Sequence, residues 1–201
     1  MQFRRETEAS VRPGRRRDPA VDEAVKVAVL DLLTERGWDG VSMDGVAARA
    51  GVGKASIYRR WSSRVQMVAE AVTELNRGEL EPPDTGSLRE DLLVLFRSMT
   101  QALQGPLGVA SRALIGVLPH EPDLAAAFRE GALGVWSDAF AGAFAAGVAR
   151  GEIDQQVLGT VAGEAGPAVL IQRWLITGQP LDDALAVDVV DRVVLPLLTR
   201  G

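Results

Sequence analysis

The sequence predicts an all-α protein of about nine helices, a three-helix N-terminal unit followed by a larger helical domain. Three observations carry this. Apolar residues recur at helical spacing along the chain, and strict alternation never outlasts that period, so no strand pattern emerges. Glycine and proline punctuate the chain at the ends of those segments. An apolar content of 47% over 201 residues suits a folded globular chain, and no internal repeat is present.

The elements follow in order. Asp18-Pro19 supplies an N-cap and an N1 proline for a first helix whose stripe is Val21, Val25, Ala28, Leu32 and Leu33, closed by Gly37. Trp38 fits the connection as a core plug. Ser42 caps a second helix with Val46, Ala47 and Ala50 on its apolar face, and Gly51 stands where a chain leaving a helix turns left-handed. A third helix starts near Lys54, with Ile57 and Trp61 four apart on one buried side. From Arg64 a fourth runs through Val65, Val68, Ala69, Val72 and Leu75 to Asn76-Arg77-Gly78, and Glu81 to Gly86 reads as a linker.

Ser87-Leu88-Arg89-Glu90 matches a capping box, heading a helix that presents Leu92, Leu95, Phe96, Met99 and Leu103 before Gly105-Pro106. A shorter helix spans about Leu107 to Leu118 and stops at Pro119-His120-Glu121-Pro122. A long one covers Asp123 to Arg150, closed by Gly151. The last two span Asp154–Thr177 and Asp182–Leu198 around Gly178 and Pro180, and Gly166-Pro167 predicts a kink or a late start in the first.

Charge divides the chain. Residues 1–66 carry 13 Lys/Arg against 9 Asp/Glu, net +4, while residues 67–201 carry 9 against 18, net −9. A basic head on an acidic body concentrates phosphate attraction at one end. Residues 1–17 hold six arginines against two glutamates, with Pro13-Gly14 before Arg15-Arg16-Arg17. That stretch reads as a flexible basic arm, either a solvated tail or one reaching a phosphate or a minor groove through Arg17.

The second and third helices carry the clearest spacing. Ala47 is small where two helices cross, Gly51 makes the turn and Ile57 plugs the wedge, as a helix-turn-helix requires. The faces left over present Lys54, Ser56, Tyr58, Arg59 and Arg60, a basic hydrogen-bonding surface suited to a DNA major groove. Arg64 opens the next helix within reach of a flanking phosphate.

The run AARAGVGKASIYRRW resembles the DNA-binding signature of TetR-type (TetR/AcrR) transcriptional regulators, a likeness covering about Asp18 to Val68. It implies a helix-turn-helix domain over residues 18–66 and an effector-binding and dimerisation domain over 67–201, joined by the fourth helix. One departure stands out: Gly53 occupies a position where the family usually has Ser or Thr, whose hydroxyl would cap the recognition helix and touch a phosphate. Gly53 gives up both but permits close backbone approach. Arg64 keeps a charge where Lys is commoner.

The candidate DNA contacts are therefore Arg17, Ser42, Gly53, Lys54, Ser56, Tyr58, Arg59, Arg60 and Arg64. Lys54, Tyr58, Arg60 and Arg64 are the phosphate candidates; Ser56 and Arg59 are placed for base edges, Arg59 for guanine. A single motif spans too few base pairs to select a site, so a two-fold dimer on a palindromic operator is expected.

The last two helices are apolar on more than one side, consistent with either a dimer interface or the interior of a monomer. Leu170, Ile171, Leu175, Val189, Val190, Val193 and Leu197 are the interface candidates. Phe96, Met99, Leu103, Leu114, Phe128, Trp136, Phe140 and Trp174 are core residues or the lining of the effector pocket that the resemblance implies. Arg173 and Thr177, with Gln172 and Glu164, are the polar groups available to orient a mostly apolar ligand.

Other chemistry is poorly served. The chain has no cysteine and one histidine, His120 in a Pro-flanked loop, so neither a metal site nor a cofactor is expected. No nucleophile, phosphate-loop or paired-carboxylate pattern marks an enzyme. The basic N-terminus leads into polar sequence rather than a leader, and the most apolar run, Ala139 to Ala149, is too short for a membrane span. The expectation is a cytoplasmic homodimeric repressor; the alternative is an all-α small-molecule binding protein that has lost specific DNA recognition.

Overall fold

The computed structural model describes residues 19–78, 80 and 83–199, which form nine helices and no strand among the described residues. Arg17, the basic arm and the Asp18 cap lie outside them. Helix α1 (Pro19–Arg36) is followed by a 3-10 turn (Trp38–Gly40), α2 (Met43–Arg49), α3 (Lys54–Arg60) and α4 (Arg64–Gly78). Then come α5 (Leu88–Gln104), α6 (Pro106–Ile115) and α7 (Pro122–Ala149), the last carrying a π-helical turn at Arg129–Leu133. Helix α8 starts at Val161 and ends in a π-helical turn at Arg173–Thr177. Helix α9 starts at Asp183, widens into a π-helical turn at Val190–Val194 and closes with Leu195–Thr199.

Two apolar cores result. The first gathers α1 to α4 around Val29, Val46, Ile57 and Met67, and runs on into Leu107, Leu114, Leu124 and Phe128 of α6 and α7. This core crosses the domain boundary expected at residue 67. The second is built on α5, whose Leu92, Leu95 and Phe96 are wholly buried against α7, α8 and α9. Bidentate pairs, Arg89 to Asp191 at 2.7 and 2.8 Å and Arg97 to Asp183 at 2.6 and 3.3 Å, strap α5 to α9.

The capping expectation is corrected, and two helix expectations are made more definite. Ser87 flanks α5 in extended backbone without a side-chain cap, so the capping box does not form. Glu152, just past α7, takes the Leu88 N–H at 2.8 Å instead, and Glu90 turns to Arg89. The stretch from Asp154 is a 3-10 turn, and α8 begins late, at Val161 behind Thr160. Pro167 is accommodated inside α8. Finally, α7 is one continuous helix of 28 residues, long and apolar enough by composition to cross a bilayer. Its Leu124, Phe128, Phe140 and Phe144 are instead buried in the chain's own cores.

Candidate nucleic-acid interface

The turn between α2 and α3 is fixed by backbone chemistry. Ser42 accepts the Gly45 N–H at 3.0 Å and caps α2. At the other end the Val52 N–H reaches the Ala47 carbonyl at 3.0 Å and the Gly51 N–H reaches Ala48 at 3.3 Å, a Schellman closure. Gly51 makes this possible at φ +66°, a conformation a side chain would strain. Ala47 and Ile57 are buried where the two helices cross. Truncating Ile57 to Ala would cost about 2–5 kcal/mol and loosen the angle between them.

On that frame Tyr58 and Arg59 are exposed, as is Lys54, while Ser56 is half-buried. Arg59 Nη2 donates to Ser56 Oγ at 3.4 Å, so the two base-edge candidates lie together one turn apart. Lys54 and Tyr58 converge on Asp44 of α2, at 2.6 and 3.2 Å. The hydrogen bond from Lys54, aided by that from Tyr58, holds the Asp44 carboxyl below the usual range, and the same contact raises Lys54. Gly53 flanks α3 at φ −64°, ψ 136° with no side-chain cap, in open surroundings.

Two sequence candidates turn elsewhere. Arg60 points at α1, its Nη1 2.7 Å from Asp22 Oδ1, with a side chain only 14% exposed. Trp61, one residue on, leaves the helix for extended backbone and buries its indole. Arg64 stacks on Trp38 at 3.9 Å and donates to the carbonyls of Trp38 and Val41 at 3.4 and 3.3 Å. Glu121, in the loop before α7, receives the Trp38 indole N–H at 3.2 Å and lies 3.9 Å from Arg64. Arg64 is thus a bracket within the first core, tying the connection after α1 to the loop before α7, and is occupied by protein partners.

The effector candidates also separate. Met99, Leu103, Phe128, Trp136 and Trp174 line a cavity of about 70 Å³. Phe140 lines an adjoining cleft of about 360 Å³, as does Glu164. Phe96 and Leu114 are wholly buried and line neither space. Arg173 and Thr177 lie off the inward face of α8 that Trp174 defines, and Gln172 is exposed. Among the interface candidates, Leu170, Val189 and Val190 pack into the second core, where no second chain can reach them. Ile171 lines the cavity, Leu175 and Val193 are half-buried, and Leu197 is exposed.

Sequence reading missed Asp44, Asp22 and Glu121, whose partners lie 10, 38 and 83 residues away. It also missed Asn76, buried at the end of α4, which accepts the Trp136 indole N–H at 2.6 Å and donates to the Val72 carbonyl at 2.8 Å. A signal existed: Asn76 falls four residues after Val72 on the buried stripe.

A recognition helix seated on a glycine turn, with a basic face outward and an all-helical body behind it, defines a helix-turn-helix DNA-binding regulator. The chain belongs to the TetR family of bacterial transcriptional regulators. Residues 27–71 match the family described as bacterial regulatory proteins, tetR family, and residues 82–193 match the tetracyclin repressor-like C-terminal domain. The chain is 33% identical over 183 residues to the DNA-binding transcriptional repressor TetR of Mycobacteroides abscessus, covering 89% of this chain and 94% of that one. It is 29% identical over 177 residues to the HTH-type transcriptional regulator YdeS of Bacillus subtilis, covering 88% and 89%. The crystal structure of TetR family transcription regulator SCO0332 superposes with a TM-score of 0.71 at 28% identity, covering 87% of this chain and 96% of that one.

Proposed function

We propose that the chain is a cytoplasmic homodimeric repressor that holds a palindromic operator through Lys54, Ser56, Tyr58 and Arg59, with Ser42 and Gly53 offering close backbone approach, and that a small, mostly apolar effector releases it without any catalytic step. The observation that carries this reading is the double service of α4. Its Met67, Val68 and Val72 belong to the core that supports the recognition helix, and its Asn76 lines the cavity. A ligand that prefers one setting of α4 biases the other end of the same rigid helix.

Dimerisation is supported by apolar side chains left on the surface of α8 and α9. Val161 and Ile176 are 79% and 73% exposed and Leu197 is 45% exposed, beside half-buried Leu175 and Val193. Two copies joined there set two recognition helices for successive major grooves.

The test is titration of the protein on DNA from upstream of its own gene and on scrambled DNA, at two salt concentrations. Selective binding with a steep salt slope, lost in Arg59→Ala, is expected. The uncapped start of α3 at Gly53 favours the alternative of a ligand-binding protein without specific DNA recognition. Equal weak binding to both DNAs, with no enriched site in genome-wide mapping, would establish that alternative.

A further inference from the structure

The cavity between Trp136 and Trp174 is small, at about 70 Å³, against the roughly 300–1,000 Å³ usual for ligand sites. The adjoining cleft, about 360 Å³, reaches that range by itself. Met99, Leu133, Trp136 and Ile171 line both spaces. Of these four, Trp136 is the largest and has a polar anchor, its indole N–H on Asn76 Oδ1. It lies three residues beyond the π-helical turn of α7, and Leu133, the last residue of that turn, is 45% exposed. That turn is pressed onto α4 at Gly131, where a Cβ would lie 2.1 Å from Thr73 Oγ1. Single widened turns of this kind inside α-helices occur frequently at functional sites.

We propose that Trp136 partitions one ligand site, that the site takes an uncharged, largely aromatic molecule bearing a hydrogen-bond donor, and that entry of this molecule breaks the Trp136–Asn76 bond. The inference rests on the reading of this domain as an effector domain and names the ligand class and the residue that senses it. The chemistry of the walls sets the class. The polar side chains lining the inner cavity are Asn76 and Ser111, and none of its lining residues is ionisable. A buried ion there would have no charged partner among the lining residues, and the guanidinium of Arg112, stacked on Trp174 at 4.9 Å, is engaged by the Trp174 carbonyl. In the outer cleft the single ionisable lining residue is Glu164, whose carboxylate opposes an anion.

The donor requirement follows from Asn76. Its amide nitrogen stays on Val72, so swinging the indole away leaves Oδ1 as an unpaired acceptor in a residue only 6% exposed. A ligand N–H or O–H restores that bond, whereas a ligand without one leaves a buried acceptor stranded. Asn76 lies on α4, so the exchange of its partner is felt on the helix that leads to the reading head.

The experiment uses the intact protein and two dyes with one ring system: uncharged N-phenyl-1-naphthylamine and its sulfonated relative 8-anilinonaphthalene-1-sulfonate. Both carry the N–H; they differ in charge. Dye fluorescence is titrated on wild type, Asn76→Leu and Trp136→Phe, and DNA binding of each is measured with and without the uncharged dye. The uncharged dye is expected to bind wild type at least tenfold tighter than the sulfonate and to weaken DNA binding at least tenfold. Trp136→Phe leaves Asn76 Oδ1 open to the dye N–H and should bind the uncharged dye at least threefold tighter, whereas Asn76→Leu removes that acceptor and should bind it at least threefold weaker; both should lose most of its effect on DNA. If one variant does not fold, the shift expected of the other tests the partition by itself.

Equal affinity for the two dyes overturns the ligand class. Unchanged dye affinity in the variants overturns the partition, and an undiminished DNA response overturns the role of Asn76. A protein that discriminates the dyes as expected but shows no specific DNA binding overturns the regulator reading alone.

Discussion

The carboxylate of Asp44 grips the ammonium of Lys54 at 2.6 Å across the turn between α2 and α3. A DNA phosphate must compete with an anion already in place, so Asp44 subtracts from non-specific attraction. Asp44→Asn should strengthen binding to scrambled DNA several-fold at low salt and steepen the log–log salt slope by about one ion. Titrations at four or more salt concentrations decide it, and an unchanged slope would mean that Lys54 stays away from phosphate.

Arg59 and Arg60 are neighbours that point apart, Arg59 exposed beside Ser56 and Arg60 paired with Asp22. Arg59→Ala should leave stability within about 0.5 kcal/mol and cost about 1–3 kcal/mol of discrimination between operator and scrambled DNA. Arg60→Ala removes the pair with half-exposed Asp22 and should cost about 1 kcal/mol of stability, with no change in the salt slope of the protein that remains folded. Urea denaturation beside DNA titration separates the two. The opposite assignment of effects would return Arg60 to the contact surface.

Gly53 has extended dihedrals that any residue adopts, and a Cβ there meets nothing within 4 Å. Gly53→Ser should therefore cap α3, raise stability by about a few tenths of a kcal/mol and tighten operator binding. Weaker binding would show that the backbone at this position approaches DNA too closely for a side chain.

Acid should loosen the start of α5. Burial pushes the Asp91 carboxyl up, but the hydroxyl and N–H of Thr85 and the guanidinium of Arg150, at 3.0 Å, outweigh it and hold the group below its ordinary 3.8. A carboxyl lowered on folding contributes stability above its unfolded value and loses it as pH falls through the folded one. Stability should thus decline below about pH 4. Asp91→Asn should cost about 1–3 kcal/mol at pH 7 and flatten that decline. Denaturation profiles from pH 7 to pH 3 provide the check; parallel profiles would count against Asp91.

Where helices begin and end was largely written in local residues. Ser42 and Asp182 cap as their chemistry requires, and Gly51, Gly151 and Gly178 take the positive φ that lets the chain leave a helix. The candidate site was legible where a residue's face follows from its own helix, as for Lys54, Tyr58 and Arg59. It was illegible where a distant partner decides. Ser87 lost its capping role to Glu152, 64 residues from the Leu88 N–H it accepts, and Arg64 was claimed by Trp38 and Glu121. Likewise Leu170, Val189 and Val190 looked identical to surface candidates because a doubly apolar helix does not declare which stripe faces its own core.

The first core draws on Leu107, Leu114, Leu124 and Phe128, residues far along the chain from the helices that read DNA. A chimera cut in the linker near Asp84 would strip those side chains from beneath α1 and α4 and replace them with a stranger's surface. Operator-reading heads of this design are therefore not interchangeable parts. A graft meant to pair this sensor with another head has to carry α6 and the opening turns of α7 along with it.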